Sequence, residues 1–191
     1  EIFLIRNGGL SIHGVIIGCF LILLAYTWLK KLSLLKYSDL FASTLPLGQA
    51  IGRWGNFFNA EAFGSPTNLP LSVYIPPEAR PIQYLSYEHF HPTFLYESIW
   101  NLMVFAVLFF VLRRKFGTGS GVITCSYLVS YSFGRFFIEA LRVDSISNVA
   151  GLPVAQFISV ILFSVGLFGL GLIYVLRRRA GKGVDFSDNQ H

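Results

Sequence analysis

Arg135, Glu139 and Arg142 stand at i, i+4 and i+7, a spacing that puts all three on one face of a helix. Glu139 can neutralise one guanidinium and leave the other for an anion. Arginine suits that task because it stays charged and offers a planar fork of donors to phosphate or carboxylate. An ion-pair ladder that merely fixes a bundle, or arginines snorkelling to an interface, would use the same spacing. A second concentration of such groups is Gly52-Arg53-Trp54-Gly55-Asn56-Phe57-Phe58-Asn59-Ala60-Glu61-Ala62-Phe63-Gly64. Its three glycines predict a broken helix end with free N–H groups, and Arg53 beside such a turn suits an anionic head group. The glycines would otherwise be helix-packing residues. His91, Tyr96 and Glu97 form a third group, and His13, flanked by Gly8, Gly9 and Gly14, a fourth. Histidine is the side chain best suited to moving a proton near neutral pH. Cation, imidazole and carboxylate together describe a site that binds an anion and shifts a proton beside it.

The chain that must position these groups is apolar. Of its 191 residues 53% are hydrophobic and only 13% charged, with mean hydropathy +0.58. Too few charges remain to cover a soluble monomer, and disorder demands the opposite composition. The expectation is an all-α integral membrane protein. Four runs reach the length of about 20 residues that a bilayer requires: 10–29, 93–112, 120–141 and 152–176. A weaker segment, 37–58, carries Asp39, Pro46, Gln49 and Arg53. It is read as a fifth span because of the basic residues. Ten of fifteen fall in three clusters: Lys30, Lys31 and Lys36; Arg113, Arg114 and Lys115; Arg177, Arg178, Arg179 and Lys182. All three lie on the cytoplasmic side only if five spans alternate. That map also disposes of nucleic acid as the reason for a net charge of +5.

Residues 1–182 are thus expected to form a single polytopic membrane domain, with 183–191 a cytoplasmic tail. Segment 65–90 holds five of the eight prolines, which forbids a long helix. It is read as an irregular outer lobe with a short strand around Leu71–Ile75. The first apolar run begins almost at once after Glu1 with no signal-peptide pattern, so a preceding piece is expected to be missing. The five remaining bases are all arginines: Arg6, Arg53, Arg80, Arg135 and Arg142. Their neighbours in the first three groups, and His13, all fall toward the outer leaflet. Ionisable groups at such depth cost about 2.5–3.5 kcal/mol each at a helix centre, which makes them functional candidates.

Other chemistries find less support. Cys19 and Cys125 lie inside apolar runs, where a thiolate would be desolvated, so neither is read as a nucleophile and no disulfide framework is expected. His13, His89, His91 and Glu97 could ligate zinc, but no HExxH-type pair occurs. His89 and His91, two apart, suit a strand or loop. Nucleophile elbow, P-loop and dinucleotide fingerprints are missing from the sequence. A carrier or channel subunit for an anionic or lipid substrate is the rival reading, since it too explains intramembrane arginines.

Four stretches in order carry a resemblance. The run 52–64 resembles the G-R-x-G-N-F-x-N-x-E-x-x-G signature of the prolipoprotein diacylglyceryl transferase family. Gly8-Gly9-Leu10-Ser11-Ile12-His13-Gly14 is similar to its G-G-[LM]-S-x-H-G segment, His91-Pro92-Thr93-Phe94-Leu95-Tyr96-Glu97 to H-P-[ST]-Q-L-Y-E, and 134–142 to F-R-x-x-x-E-x-x-R. Phe94 replaces the usual Gln, and Val15 stands where a second Gly is common. The family has about seven spans, about two of them before the point where this chain begins, so the resemblance implies an N-terminally truncated chain. It also implies a reaction in the bacterial plasma membrane. The diacylglyceryl group of phosphatidylglycerol passes to the lipobox cysteine thiol in the signal peptide of a prolipoprotein, forming a thioether and releasing glycerol 1-phosphate. Arg53 and Arg135 would stabilise the leaving phosphate and His13 would take the thiol proton, with His91 the rival base. Asn56, Asn59, Glu61, Gly64 and Arg142 would help bind the head group. His91, Tyr96, Glu97 and Glu139 would support them. Neither metal nor cofactor is called for, because the lipid arrives with its leaving group attached.

Overall fold

The computed structural model describes residues 12–143, 148–149 and 151–184, with side chains described for 18, 19, 21–143 and 151–179. Helix α1 (Ile12–Leu29) turns at Lys31 into α2 (Leu34–Phe58), where Ser33 caps the new helix by accepting from Lys36 N–H. After the lobe, α3 (Thr93–Ala106) continues through a π-helical stretch, Val107–Leu112, into α4 (Arg113–Phe116). Helices α5 (Val122–Glu139) and α6 (Val154–Val184) complete the bundle. The predicted spans thus fall on helices. α6 runs on past its basic cluster to Val184, two residues into the segment expected as tail; 185–191 lie outside the described residues.

The bundle buries polar groups beside an apolar core of Ala42, Val104, Leu108 and Ile123, and is apolar outside. Asp39, Ser43, Glu97, Ser98, Asn101, Ser132, Glu139 and Gln156 are buried, whereas Ile22, Trp28, Phe58 and Phe168 are seven-tenths or more exposed. Water would penalise that arrangement and hydrocarbon rewards it. Among the described residues two helical stretches, Thr93–Phe116 and Val154–Arg179, are long and apolar enough to cross a membrane. Helices meet where side chains bond to the backbone of a neighbour. Ser98 Oγ donates to Ala50 O at 3.0 Å, Trp100 Nε1 to Ser130 O at 2.9 Å and Gln156 Nε2 to Phe136 O at 3.0 Å. α6 packs on α5 through Gly166 and Gly169, where an added Cβ would lie 2.8 Å from Val129 and 2.6 Å from Cys125 Sγ. Cys125 is a packing residue there.

The basic clusters gather at one end. Lys36 lies against Gly119, Leu35 and Ile173 meet at Gly121, and the Arg177 guanidinium sits over the Phe116 ring. Buried at this end, Asp39 Oδ2 accepts from Gly119 N–H (3.0 Å) and Gly121 N–H (2.9 Å), and Oδ1 from Thr124 N–H (3.0 Å) and Oγ1 (2.7 Å). Gly121, at φ +74°, has no side chain with which to cap α5. A carboxylate from α2 caps it instead, where the helix dipole favours negative charge.

At the other end is the lobe. Strand β1 (Val73–Tyr74) pairs antiparallel with β2 (His89–Phe90), with 3₁₀ turns at Pro77–Ala79 and Ile82–Tyr84 between them. Phe63, Ile75 and Phe90 form its core, joined by Val143 from beyond α5. Arg80 donates from Nε to Ile75 O (2.7 Å) and from Nη1 to Leu85 O (3.2 Å). This arginine staples the lobe, so its choice over lysine has a structural reason. A second ribbon, β3 (Asn148–Val149) with β4 (Leu152–Pro153), leads into α6.

Candidate active site

Three helix ends converge beside the lobe: the last turns of α2 and α5 and the first turns of α3. Arg53 comes from α2, Glu97 from α3, and Arg135 and Glu139 from α5. Glu97 is 5% exposed and bridges the two arginines, Oε2 to Arg53 Nε and Oε1 to Arg135 Nη1, both at 2.5 Å. Arg135 Nη2 lies 2.7 Å from Glu139 Oε2, and Arg142 Nη1 lies 3.8 Å from the same oxygen. The result is one chain of alternating charge, Arg53–Glu97–Arg135–Glu139–Arg142. The cations stand toward helix C-termini and Glu97 toward a helix N-terminus, as the dipoles favour.

Arg53 extends the network outward. Its Nη1 donates to Asn56 Oδ1 at 3.3 Å, and Asn56 Nδ2 donates to Glu61 Oε1 at 2.9 Å. Asn59 Nδ2 reaches the same oxygen at 3.4 Å. Among the described residues Arg53 Nη2 has no acceptor, and at 19% exposure the side chain is open to a ligand. Asn59 and Glu61 are exposed around it. The glycines work differently from expectation. α2 is unbroken to Phe58, and a Cβ at Gly52 or Gly55 would touch nothing within 4 Å, so they neither break the helix nor pack another against it. Ala60 (φ +49°) and Ala62 (φ +58°) make the turn instead. The N–H groups of Asn59, Ala60 and Glu61 are bonded to the carbonyls of Gly55, Phe57 and Asn56, so anion binding falls to side chains.

Gly64 is a point of close approach. Its N–H donates to His91 O at 2.9 Å, Ser65 N–H to Leu141 O at 2.8 Å, and Gly64 bridges to Arg142 in antiparallel register. A Cβ there would fall 2.7 Å from His91 Cβ. Thr93 Oγ1 also donates to Ala62 O. These bonds tie the three helix ends together. α5 ends at Glu139, so Arg142 reaches the chain from beyond the helix rather than from its face, and Glu139 contacts both arginines.

His91 Nδ1 lies 3.2 Å from Tyr96 Oη, and His89 turns to Ser72 Oγ at 3.3 Å, so the two imidazoles serve different neighbours. Phe94, the departure from the usual Gln, packs between Trp54 and Phe57 with ring centroids 5.5 and 5.0 Å away. His13 is the second residue of α1, and its side chain, with that of Val15, lies outside the described residues. Sequence reasoning placed Glu97 in support; the structure makes it the hub. It passed over Asn101, 2% exposed, which lines a small void with Glu97, Tyr131 and Arg135. The signal was there, since Asn101 stands four residues after Glu97 in an apolar helix.

The sequence pattern of the prolipoprotein diacylglyceryl transferase family matches residues 1–172. The chain belongs to that family. It is 49% identical over 184 residues to the phosphatidylglycerol–prolipoprotein diacylglyceryl transferase of Prochlorococcus marinus (strain MIT 9312), covering 91% of this chain and 61% of the relative. Relatives of the same name in Nostoc sp. (50% over 182 residues) and Synechocystis sp. (48% over 182 residues) each align with 93% of this chain and 64% of their own length. The chain spans about three fifths of the length of the curated relatives it matches. As a member of this family, with polar groups buried between its helices and apolar side chains outside, it is a membrane protein.

Proposed function

We propose that this chain carries the diacylglyceryl-transfer site for phosphatidylglycerol and a prolipoprotein lipobox cysteine. The observation that carries the reading is Glu97 holding Arg53 and Arg135 together, at 2.5 Å each. The thiol sulfur attacks the glycerol carbon that bears the phosphate. The new bond is a thioether, and the carbon–oxygen bond to phosphate breaks. The electron pair leaves on the phosphate of glycerol 1-phosphate, so negative charge grows where the guanidinium groups stand. Arg135, clamped by two carboxylates, is pre-organised for this; Arg53, with a donor to spare, takes the incoming phosphate. Asn56, Asn59, Glu61 and Arg142 orient the head-group glycerol. A histidine of ordinary pKa near 6.5 accepts the proton of a thiol near 8.5. His13 holds that role, with His91 and Tyr96 the alternative pair. The carrier reading draws nothing from the comparisons, which name transferases.

The same reading gives the chain five spans in one domain, with basic clusters and C-terminus in the cytoplasm, the site at the periplasmic leaflet of the inner membrane, and 65–90 as a periplasmic lobe. The test is incubation of the protein with phosphatidylglycerol vesicles and a lipobox peptide, read by mass spectrometry. The thioether appears with the native protein and disappears with Arg135→Ala. Near-normal turnover in that variant removes Arg135 from the site.

A further inference from the structure

The two grooves on the outer face of α5 differ in one respect. One, of about 520 Å³, runs between α3 and α5 and is lined by Tyr96, Trp100, Met103, Phe133, Phe137 and Ile138 among others. The other, of about 240 Å³, lies between α5 and α6. Only the first shares walls with the charged chain. Trp100 and Ile138 line it on one side, and on the other they line the small void that holds Glu97 and Arg135. Trp100 and Ile138 thus stand between the apolar groove and the small void beside Glu97 and Arg135.

Trp100 fits its place closely. Its indole lies flat on Gly134, where a Cβ would stand 2.1 Å from Nε1, and Nε1 donates to Ser130 O at 2.9 Å. Its ring meets Phe133 at 5.8 Å. Gly134 thus leaves room for an indole from α3 to close the seam with α5, one residue before Arg135. A carbonyl and an aromatic ring hold it there. The groove has an apolar lining that suits an acyl chain, and past its wall stand the guanidinium groups that meet the phosphate on the transfer reading. One molecule suits both places: a phospholipid with an anionic head.

We propose that the α3–α5 groove seats an acyl chain of the lipid substrate and that Trp100 is the partition setting how that chain lies relative to the phosphate at Arg53 and Arg135. Trp100 is therefore a residue of lipid positioning and chain selection. The proposal rests on the transfer reading above for what the lipid is, and on the shared walls for where its chain runs.

The test uses phosphatidylglycerol with a photoactivatable diazirine midway along one chain, presented to the full chain in phosphatidylcholine nanodiscs. Cross-links are expected at Tyr96, Met103 and Phe133, suppressed by unlabelled phosphatidylglycerol and not by added phosphatidylcholine. Equal competition by both lipids makes the groove a seat for bulk lipid and overturns the proposal, as do cross-links confined to Phe136 and Phe163. Kinetics give the second arm. Met103→Trp, which fills the groove, should raise KM for long-chain phosphatidylglycerol at least fivefold and leave KM for a short-chain, soluble form unchanged. Trp100→Phe should shift the ratio of kcat/KM between long-chain and short-chain phosphatidylglycerol. An unaltered chain-length profile in both variants overturns the proposal. A native protein that makes no thioether from any lipid overturns the transfer reading instead, and cross-linking still decides the groove.

Discussion

Asp39 and Glu97 are carboxylates buried in the same bundle, at its two ends, and they are satisfied in opposite ways. Asp39 accepts four hydrogen bonds, three from backbone N–H groups and one from a hydroxyl, all within the turn that opens α5. Its donors are neutral and its lone pairs are used. Glu97 faces two guanidinium groups, each of which continues to another polar partner: Arg135 to Glu139, Arg53 to Asn56. The first is a closed knot that locks one helix start against another helix. The second is an open chain that runs on from Arg53 through Asn56 to the exposed Glu61 and Asn59. A buried charge therefore does not declare its purpose by burial; the partners decide. Backbone donors mark a cap, and charged partners that run on to further polar groups mark a site.

That contrast can be broken or sharpened by mutation. The largest effect is expected from Glu97→Ala, which leaves two guanidinium groups side by side without their shared counter-ion. Removing one partner of a buried pair costs about 3–5 kcal/mol. Thioether formation should fall about a hundredfold or more, equivalent to about 2.7 kcal/mol of transition-state stabilisation. Initial rates on a lipobox peptide measure it, and a rate near that of the native protein would put Glu97 in the same class as Asp39.

Gly64→Ala comes next. The new Cβ meets His91 and the Leu141 carbonyl, and overpacking of this kind costs about 1–3 kcal/mol. Because Gly64 bridges to Arg142, the loss should appear as a raised KM for phosphatidylglycerol as well as a lower unfolding midpoint. Asp39→Ala should show the reverse balance. Each buried N–H left without an acceptor costs about 1–3 kcal/mol, so the unfolding midpoint in detergent drops sharply. The rate per folded molecule, obtained by normalising activity to the folded fraction, should not change. A collapse of that normalised rate would erase the distinction between the two ends. Arg80→Ala should do least. Two carbonyl bonds in the lobe are lost at about 0.5–1.5 kcal/mol each, visible as faster proteolysis between residues 75 and 85 with turnover intact.

Much of the fold could be read from apolar periodicity and charge alone. The weak second segment is a full 25-residue helix despite Asp39, Pro46 and Arg53. The basic clusters had pointed to a helix in this segment, and a helix stands there. The lobe's short strand and lack of long helices followed from proline. Other readings failed for local reasons. Glycine's low helix propensity did not break α2, because its neighbours hold the helix and the turn fell to Ala60 and Ala62 in left-handed conformation. The i, i+4, i+7 face of Arg135, Glu139 and Arg142 ended early, because α5 stops at Glu139 and Arg142 is recruited by a bridge to Gly64.

The sequence by itself determined the solvent of this protein, the set of ionisable groups admitted to its apolar helices, and the family to which its ordered motifs belong. Those are properties of composition and spacing along one dimension. Tertiary structure alone decided who partners whom. Glu97 is 44 residues from Arg53 and 38 from Arg135, and no periodicity relates positions on three different helices. Only when α2, α3 and α5 pack does a carboxylate that local spacing leaves unassigned fall between two arginines. There, burial makes the pairing strong and turns scattered charges into one site.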